Sequence, residues 1–134
     1  MRASPNASLR VLWHDRLMRQ TVLIVDDHEA FRESAVALLE SEGFTVVGEA
    51  ADGGAALSEA ERLRPQVVLL DIQLPDIDGF AVAERLSAWS EPPCVVLISS
   101  REAGSYGPRL DATSAEGFIT KRELSGAALA ALVG

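Results

Sequence analysis

Five polar positions in this chain could act on one substrate together: the adjacent pair Asp26 and Asp27, then Asp71, Ser99 and Lys121. Three carboxylates gathered in one pocket repel one another, so they require a cation or a retained proton. All-oxygen donors favour a hard ion such as Mg²⁺ or Mn²⁺, which binds through a few carboxylates and keeps several waters. An ammonium and a hydroxyl facing such an ion suit phosphoryl transfer. A carboxylate would attack in line, while the metal and the ammonium share the phosphoryl oxygens. Most of the catalysis would then be positioning and electrostatics.

Taken singly, each of these residues has a plainer reading. An aspartate after a strand is commonly a turn residue or a helix N-cap. A turn needs one aspartate, however, and here two are adjacent; nor does a turn explain Lys121. The chain has eleven arginines and this one lysine. Genomic base composition accounts for the arginine bias, and the lone surviving lysine raises the question of what an arginine could not do there.

The elements that must position these residues follow from the hydrophobic pattern. Val22–Val25 is a buried strand ended by Asp26 and Asp27. Residues 29–42 put Phe31, Ala35, Leu38 and Leu39 on one helical face, and Gly43 stops that helix. A second strand spans 44–50, a helix 53–64, and a third strand 67–70 ends at Asp71. A loop from Pro75 to Gly79 leads into a helix over 79–88. The fourth strand, 95–98, ends at Ser99, and the fifth, 117–120, ends at Lys121. Between them, Gly104, Gly107 and Pro108 interrupt what would be the fourth helix. A last helix covers 124–133. Alternating strands and helices predict an α/β sandwich around a parallel sheet, doubly wound because crossovers are right-handed. Such sheets bind ligands beyond the carboxyl ends of their strands, which is where all five polar positions fall.

Composition narrows the setting. At 134 residues the chain suits one domain. Residues 1–20 carry four arginines and one aspartate; the remainder carries eight basic and nineteen acidic residues. Residues 1–20 are thus set apart as a basic extension, either disordered or a short helix with Leu9, Leu12, Trp13 and Leu17 on one face, or the product of an earlier start codon than Met18. The acidic body at 21–134 repels phosphate backbones, which argues against direct nucleic-acid binding. No apolar run reaches the length of a membrane span, and a cytoplasmic setting is expected. The lone cysteine, Cys94, excludes an internal disulfide and reads as a small hydrophobe in a strand. His28 reads as an exposed helix start, His14 has no identifiable partner, and Trp89 is expected near the end of the third helix.

Four segments, "VLIVDDHEAFRES", "VVLLDIQLPDIDGF", "VVLISSRE" and "GFITK", stand in the order and close to the spacing of the response-regulator receiver domains of two-component systems. The sequence resembles that family over residues 21–134, and "TVVGEAADGGAAL" resembles its helix-turn-helix (NarL/LuxR-type) branch. The resemblance implies a flavodoxin-like (βα)5 sandwich with strand order 2-1-3-4-5. It implies Asp71 as phosphoacceptor, Asp27 as direct Mg²⁺ ligand, Asp26 supporting mainly through water, and the backbone carbonyl of Gln73 as a further ligand. Lys121 would pair with Asp71 and then with the phosphoryl group, Ser99 would follow a phosphoryl oxygen, and Phe118 stands at the aromatic switch position. Pro75 and Gly79 shape the loop after the acceptor.

The sequence departs from the family pattern in three places. Arg122 stands where relatives often have a proline joined by a cis bond, Ser114 stands where many have glycine, and the fourth helix is broken. The resulting expectation is a stand-alone receiver, a monomer or weak homodimer. A sensor histidine kinase or phosphotransfer protein would phosphorylate it, and it would act on a downstream protein through the face of helix four, strand five and helix five. Its only chemistry would be self-phosphorylation and autodephosphorylation. The alternatives are a receiver that binds partners without phosphate, the receiver half of a DNA-binding regulator, or an aspartate-nucleophile phosphatase. The last is disfavoured because Gln73 stands where such phosphatases place an acid two residues after the nucleophile.

Overall fold

The computed structural model describes residues 20–133. The expectations for residues 1–19, including the apolar face and His14, lie outside the described residues. Five strands form the body: β1 Thr21–Val25, β2 Thr45–Ala50, β3 Val67–Asp71, β4 Cys94–Ser99 and β5 Gly117–Thr120. All neighbours pair in parallel, in the order β2-β1-β3-β4-β5. The helices are α1 Glu29–Ser41, α2 Gly53–Leu63, α3 Gly79–Ser87, α4 Pro108–Ala112 and α5 Gly126–Val133. This is the flavodoxin-like sandwich the sequence predicts.

The continuous apolar strands are explained by burial on both faces. Alternate side chains of one strand enter different cores, as the period of two requires. Leu23, Val25, Val68, Leu70 and Leu97 pack with Ala56 and Ala60 of α2 and Phe80, Val82, Ala83 and Leu86 of α3. Val22, Ile24, Val67, Leu69, Val96 and Ile98 pack with Ala35 and Leu39 of α1 and Leu129 of α5. Truncating a fully buried leucine such as Leu70 to alanine would cost about 3 kcal/mol. β2 is the exception, an edge strand with only Ala50 buried. It also slips register against β1 between Val22 and Leu23.

Helix ends are marked by local chemistry. Asp52 caps α2 by accepting from the Ala55 N–H at 2.7 Å, and Asp78 caps α3 by accepting from the Phe80 N–H at 2.7 Å. Asp76, in the loop after β3, accepts from the Gly53 and Gly54 N–H groups and ties that loop to the start of α2. Gly43 follows α1 with a positive φ of 100°, the conformation that favours glycine after a helix. α4 shrinks to five residues, with Gly107 at φ 54° and Pro108 at its first position. No residue of α4 is buried. The last helix begins two residues later than the periodicity predicts, because Leu124 is extended and Ser125 caps the helix, its Oγ accepting from the Ala128 N–H at 3.0 Å. The Lys121–Arg122 peptide is trans, as are all the described peptide bonds.

Candidate functional site

The carboxyl ends of β1, β3, β4 and β5 bring the predicted residues to one edge of the sheet. The Asp26 N–H donates to the Ala50 carbonyl at 3.0 Å, and its own carbonyl accepts from Arg32 Nη1 at 2.6 Å. The turn between β1 and α1 is thereby fixed from both sides. Asp26 is fully buried and Asp71 nearly so, whereas Asp27 faces solvent. One ligand atom from each of Asp26, Asp27, His28 and Asp71 lies within 4.8 Å of the others.

Within this cluster, Asp26 Oδ1 accepts from the His28 N–H at 2.8 Å, and His28 Nδ1 lies 3.1 Å from Asp26 Oδ1 and 3.2 Å from Asp27 Oδ1. His28 is an exposed helix start, as expected, but its ring also faces both acids. Asp71 Oδ1 accepts from the Gln73 N–H at 3.1 Å. Lys121 Nζ lies 3.4 Å from Asp71 Oδ2, 2.5 Å from Asp26 Oδ2 and 4.7 Å from the centre of the Phe31 ring. The expected pairing with Asp71 is therefore present but secondary, since the ammonium is drawn more closely to Asp26. Burial, and then the neighbouring Asp26 charge, push the Asp71 carboxyl up to about 6, against the opposing pull of Lys121.

The donor set fits a hard divalent cation. One ammonium faces three carboxylates, so negative charge is left over. Although Lys121 is close, it approaches Asp26 Oδ2 outside hydrogen-bonding geometry, leaving that fully buried oxygen without a directed donor. Buried oxygens of this kind are the ones a metal or its water would satisfy.

Ser99 is fully buried at the end of β4. Its Oγ accepts from the Arg101 N–H at 3.0 Å and lies 2.5 Å from the Tyr106 hydroxyl. The Tyr106 ring stands edge-on to Phe80 at 5.8 Å and to Phe118 at 6.1 Å. Phe118 is half-buried, so the predicted switch aromatic is neither out in solvent nor shut in the core. Arg109 pairs with Asp78 and lies with its guanidinium 4.3 Å over the Phe80 ring. Ser114 is tied to Glu84, its N–H at 3.0 Å and its hydroxyl at 2.5 Å.

Sequence reasoning missed Tyr106. A single aromatic between Gly104 and Gly107 gives little periodic signal, and only its being the one tyrosine of the chain set it apart. A cleft of about 400 Å³ opens here, bounded by Gln73, Arg101, Tyr106 and Arg109. A larger one, about 620 Å³, lies at the opposite end of the strands between Arg64, Trp89 and Pro92, away from the acid cluster.

A family model described as the response regulator receiver domain matches residues 22–133. The chain is 42% identical over 102 residues to a Pseudomonas aeruginosa protein named as a transcriptional regulator, covering 76% of this chain and 49% of that one. It is 36% identical over 106 residues to the virulence-factor transcription regulator BvgA of Bordetella pertussis, covering 79% and 51%. The chain thus spans about half the length of these relatives. The signal receiver domain of the response regulator NarL from Mycobacterium tuberculosis superposes with a TM-score of 0.75 at 36% identity, covering 87% of this chain and 98% of that one.

Proposed function

Because this chain belongs to the response-regulator receiver family, we propose that it accepts a phosphoryl group on Asp71 from a histidine kinase or phosphotransfer protein and passes the change to a protein partner. The observation that carries this reading is the gathering of Asp26, Asp27 and Asp71 within reach of one ion, with Lys121 between Asp26 and Asp71.

Receiver domains bind Mg²⁺ at this acidic pocket. Asp27, Asp71 and the Gln73 carbonyl would hold the ion directly, with Asp26 behind them through water. Bound there, the ion supplies positive charge against the phosphoryl oxygens. The chain's own residues do the rest. An ionised Asp71 oxygen attacks phosphorus as the phosphorus–nitrogen bond of the donor's phosphohistidine breaks, and the imidazole leaves with that electron pair. The Gln73 N–H, bonded to the other Asp71 oxygen, fixes which oxygen attacks. Lys121 needs only a small swing from Asp26 to meet the new charge, and a flexible ammonium suits that.

Asp71 then carries added negative charge beside Ser99 and Lys121, which biases the face of α4, β5 and α5. The acidic body supports a protein partner rather than nucleic acid. Incubation with Mg²⁺ and a small phosphodonor, followed by mass measurement, should add one phosphoryl group to this chain and none to Asp71→Ala. An equal gain in the variant would sink the proposal.

A second reading is a receiver that binds its partner without phosphate. It draws on one observation, the five-residue α4 with no buried side chain. It predicts no Mg²⁺-dependent rise in melting temperature, whereas a metal that binds only the folded chain must produce one.

A further inference from the structure

Ser99 Oγ has one proton to give and two lone pairs to fill. It is fully buried, so its partners are those the fold supplies. The Arg101 N–H takes one lone pair, and the Tyr106 hydroxyl, 2.5 Å away, either takes the serine proton or donates to the other lone pair. A phosphoryl oxygen on Asp71 would need that same serine proton. With Ser99 as the donor to Tyr106, the tyrosine and the phosphoryl group compete for that one proton.

We propose that Tyr106 is the positioning residue of Ser99, holding its hydroxyl before phosphorylation and giving it up afterwards, so that Tyr106 carries the change from Ser99 to Phe118. This rests on the reading of Asp71 as acceptor. Phe118 has no hydroxyl of its own and cannot follow Ser99 by a hydrogen bond. Tyr106 touches both, through its hydroxyl at Ser99 and its ring edge at Phe118. It also sits where movement costs least. Residues 103–112 bury no side chain fully. They are held by the Tyr106 ring between Phe80 and Phe118, by partly buried Leu110 against the core and by the pairing of Arg109 with Asp78. Losing the serine bond removes one of these few ties.

The test uses the single tyrosine of the chain. Uniform labelling with 3-fluorotyrosine gives one ¹⁹F resonance, which reports Tyr106 alone. With Mg²⁺ and phosphoramidate, that resonance should move in step with the mass gain, and Ser99→Ala should move it with no phosphodonor present. Tyr106→Phe keeps the ring packing and removes the competitor. It should tighten binding of beryllofluoride, a phosphoryl mimic, by roughly threefold to tenfold, the share of one neutral hydrogen bond. A mass gain with an unmoved resonance, or unchanged beryllofluoride affinity in Tyr106→Phe, overturns the inference while leaving the acceptor reading intact. Absence of a mass gain overturns the acceptor reading, and this inference with it.

Discussion

The ammonium of Lys121 sits 2.5 Å from Oδ2 of Asp26, closer than its 3.4 Å approach to Asp71. The lysine compensates the most deeply buried acid of the site and reaches the acceptor only with what remains. This is an ordinary outcome of electrostatics, because a fully buried carboxylate with one oxygen lacking a directed hydrogen-bond donor gains most from a nearby cation.

Lys121→Met should expose that dependence. It keeps the aliphatic length and leaves Asp26 and Asp71 facing each other without a cation. Metal-free stability at neutral pH should fall by about 3 kcal/mol. Added Mg²⁺ should raise the melting temperature of the variant more than that of the parent, because the ion then neutralises charge that nothing else does. Denaturant and thermal unfolding with and without Mg²⁺ measure both effects. Identical metal-free curves would mean that the ammonium contributes nothing to the fold.

The acceptor itself makes the metal-free stability depend on pH. Its carboxyl is raised from an ordinary 3.8 to about 6, first by burial and then by Asp26. The folded chain therefore holds this proton more tightly than the unfolded chain between those values. The Asp71 contribution to stability is fully present below about 4 and is lost as pH rises through about 6. Asp71→Asn should flatten this window and should be more stable than the parent at neutral pH. Mg²⁺, which favours the ionised parent, should narrow the gap. Urea unfolding across the window in both proteins checks the sign.

The edge that carries the site was legible because β1, β3 and β4 are apolar runs closed by polar residues, whereas the sheet order came from the family resemblance. Val67–Leu70 before Asp71 and Gly117–Thr120 before Lys121 leave little choice of register or end. The broken fourth helix was legible for the same kind of reason, since Gly107 and Pro108 forbid a long one. Contacts between loops were not. Asp76 on the backbone of Gly53 and Gly54, Arg109 with Asp78, and Tyr106 on Ser99 each join residues seven to thirty-one positions apart. Neither periodicity nor turn chemistry encodes such pairs. The preference of Lys121 for Asp26 was hidden likewise, because it depends on which acid is buried deeper.

Cys94 opens β4 half-buried, and burial, with Glu116 adding to it, pushes its thiol from 9.0 up to about 11. Less thiolate is present, although each thiolate is intrinsically more nucleophilic, and the two effects partly offset. Reaction with an aromatic disulfide reagent at mildly alkaline pH should be about tenfold slower in the folded chain than in urea. Stopped-flow absorbance measures the two rates, and equal rates would show that the folded thiol is not shielded.

Gly79 couples the start of α3 to the strand end that carries Asp71. Its N–H donates to the Ile72 carbonyl at 2.8 Å, and a Cβ there would lie 2.4 Å from the Asp71 carbonyl oxygen and 2.7 Å from Ile72 Cα. These are backbone atoms, so no rotamer change relieves the clash; either α3 or the end of β3 must shift. Gly79→Ala should therefore lose about 1–3 kcal/mol of stability and should also weaken Mg²⁺ binding, because the displaced backbone is the one from which Asp71 and Gln73 project. Gly104 provides the contrast, since a Cβ there meets nothing within 4 Å and its φ is not positive. Gly104→Ala should leave metal binding unchanged and stability nearly so. If both substitutions weakened Mg²⁺ binding equally in a calorimetric titration, the loss could not be assigned to the contact between Gly79 and the strand end.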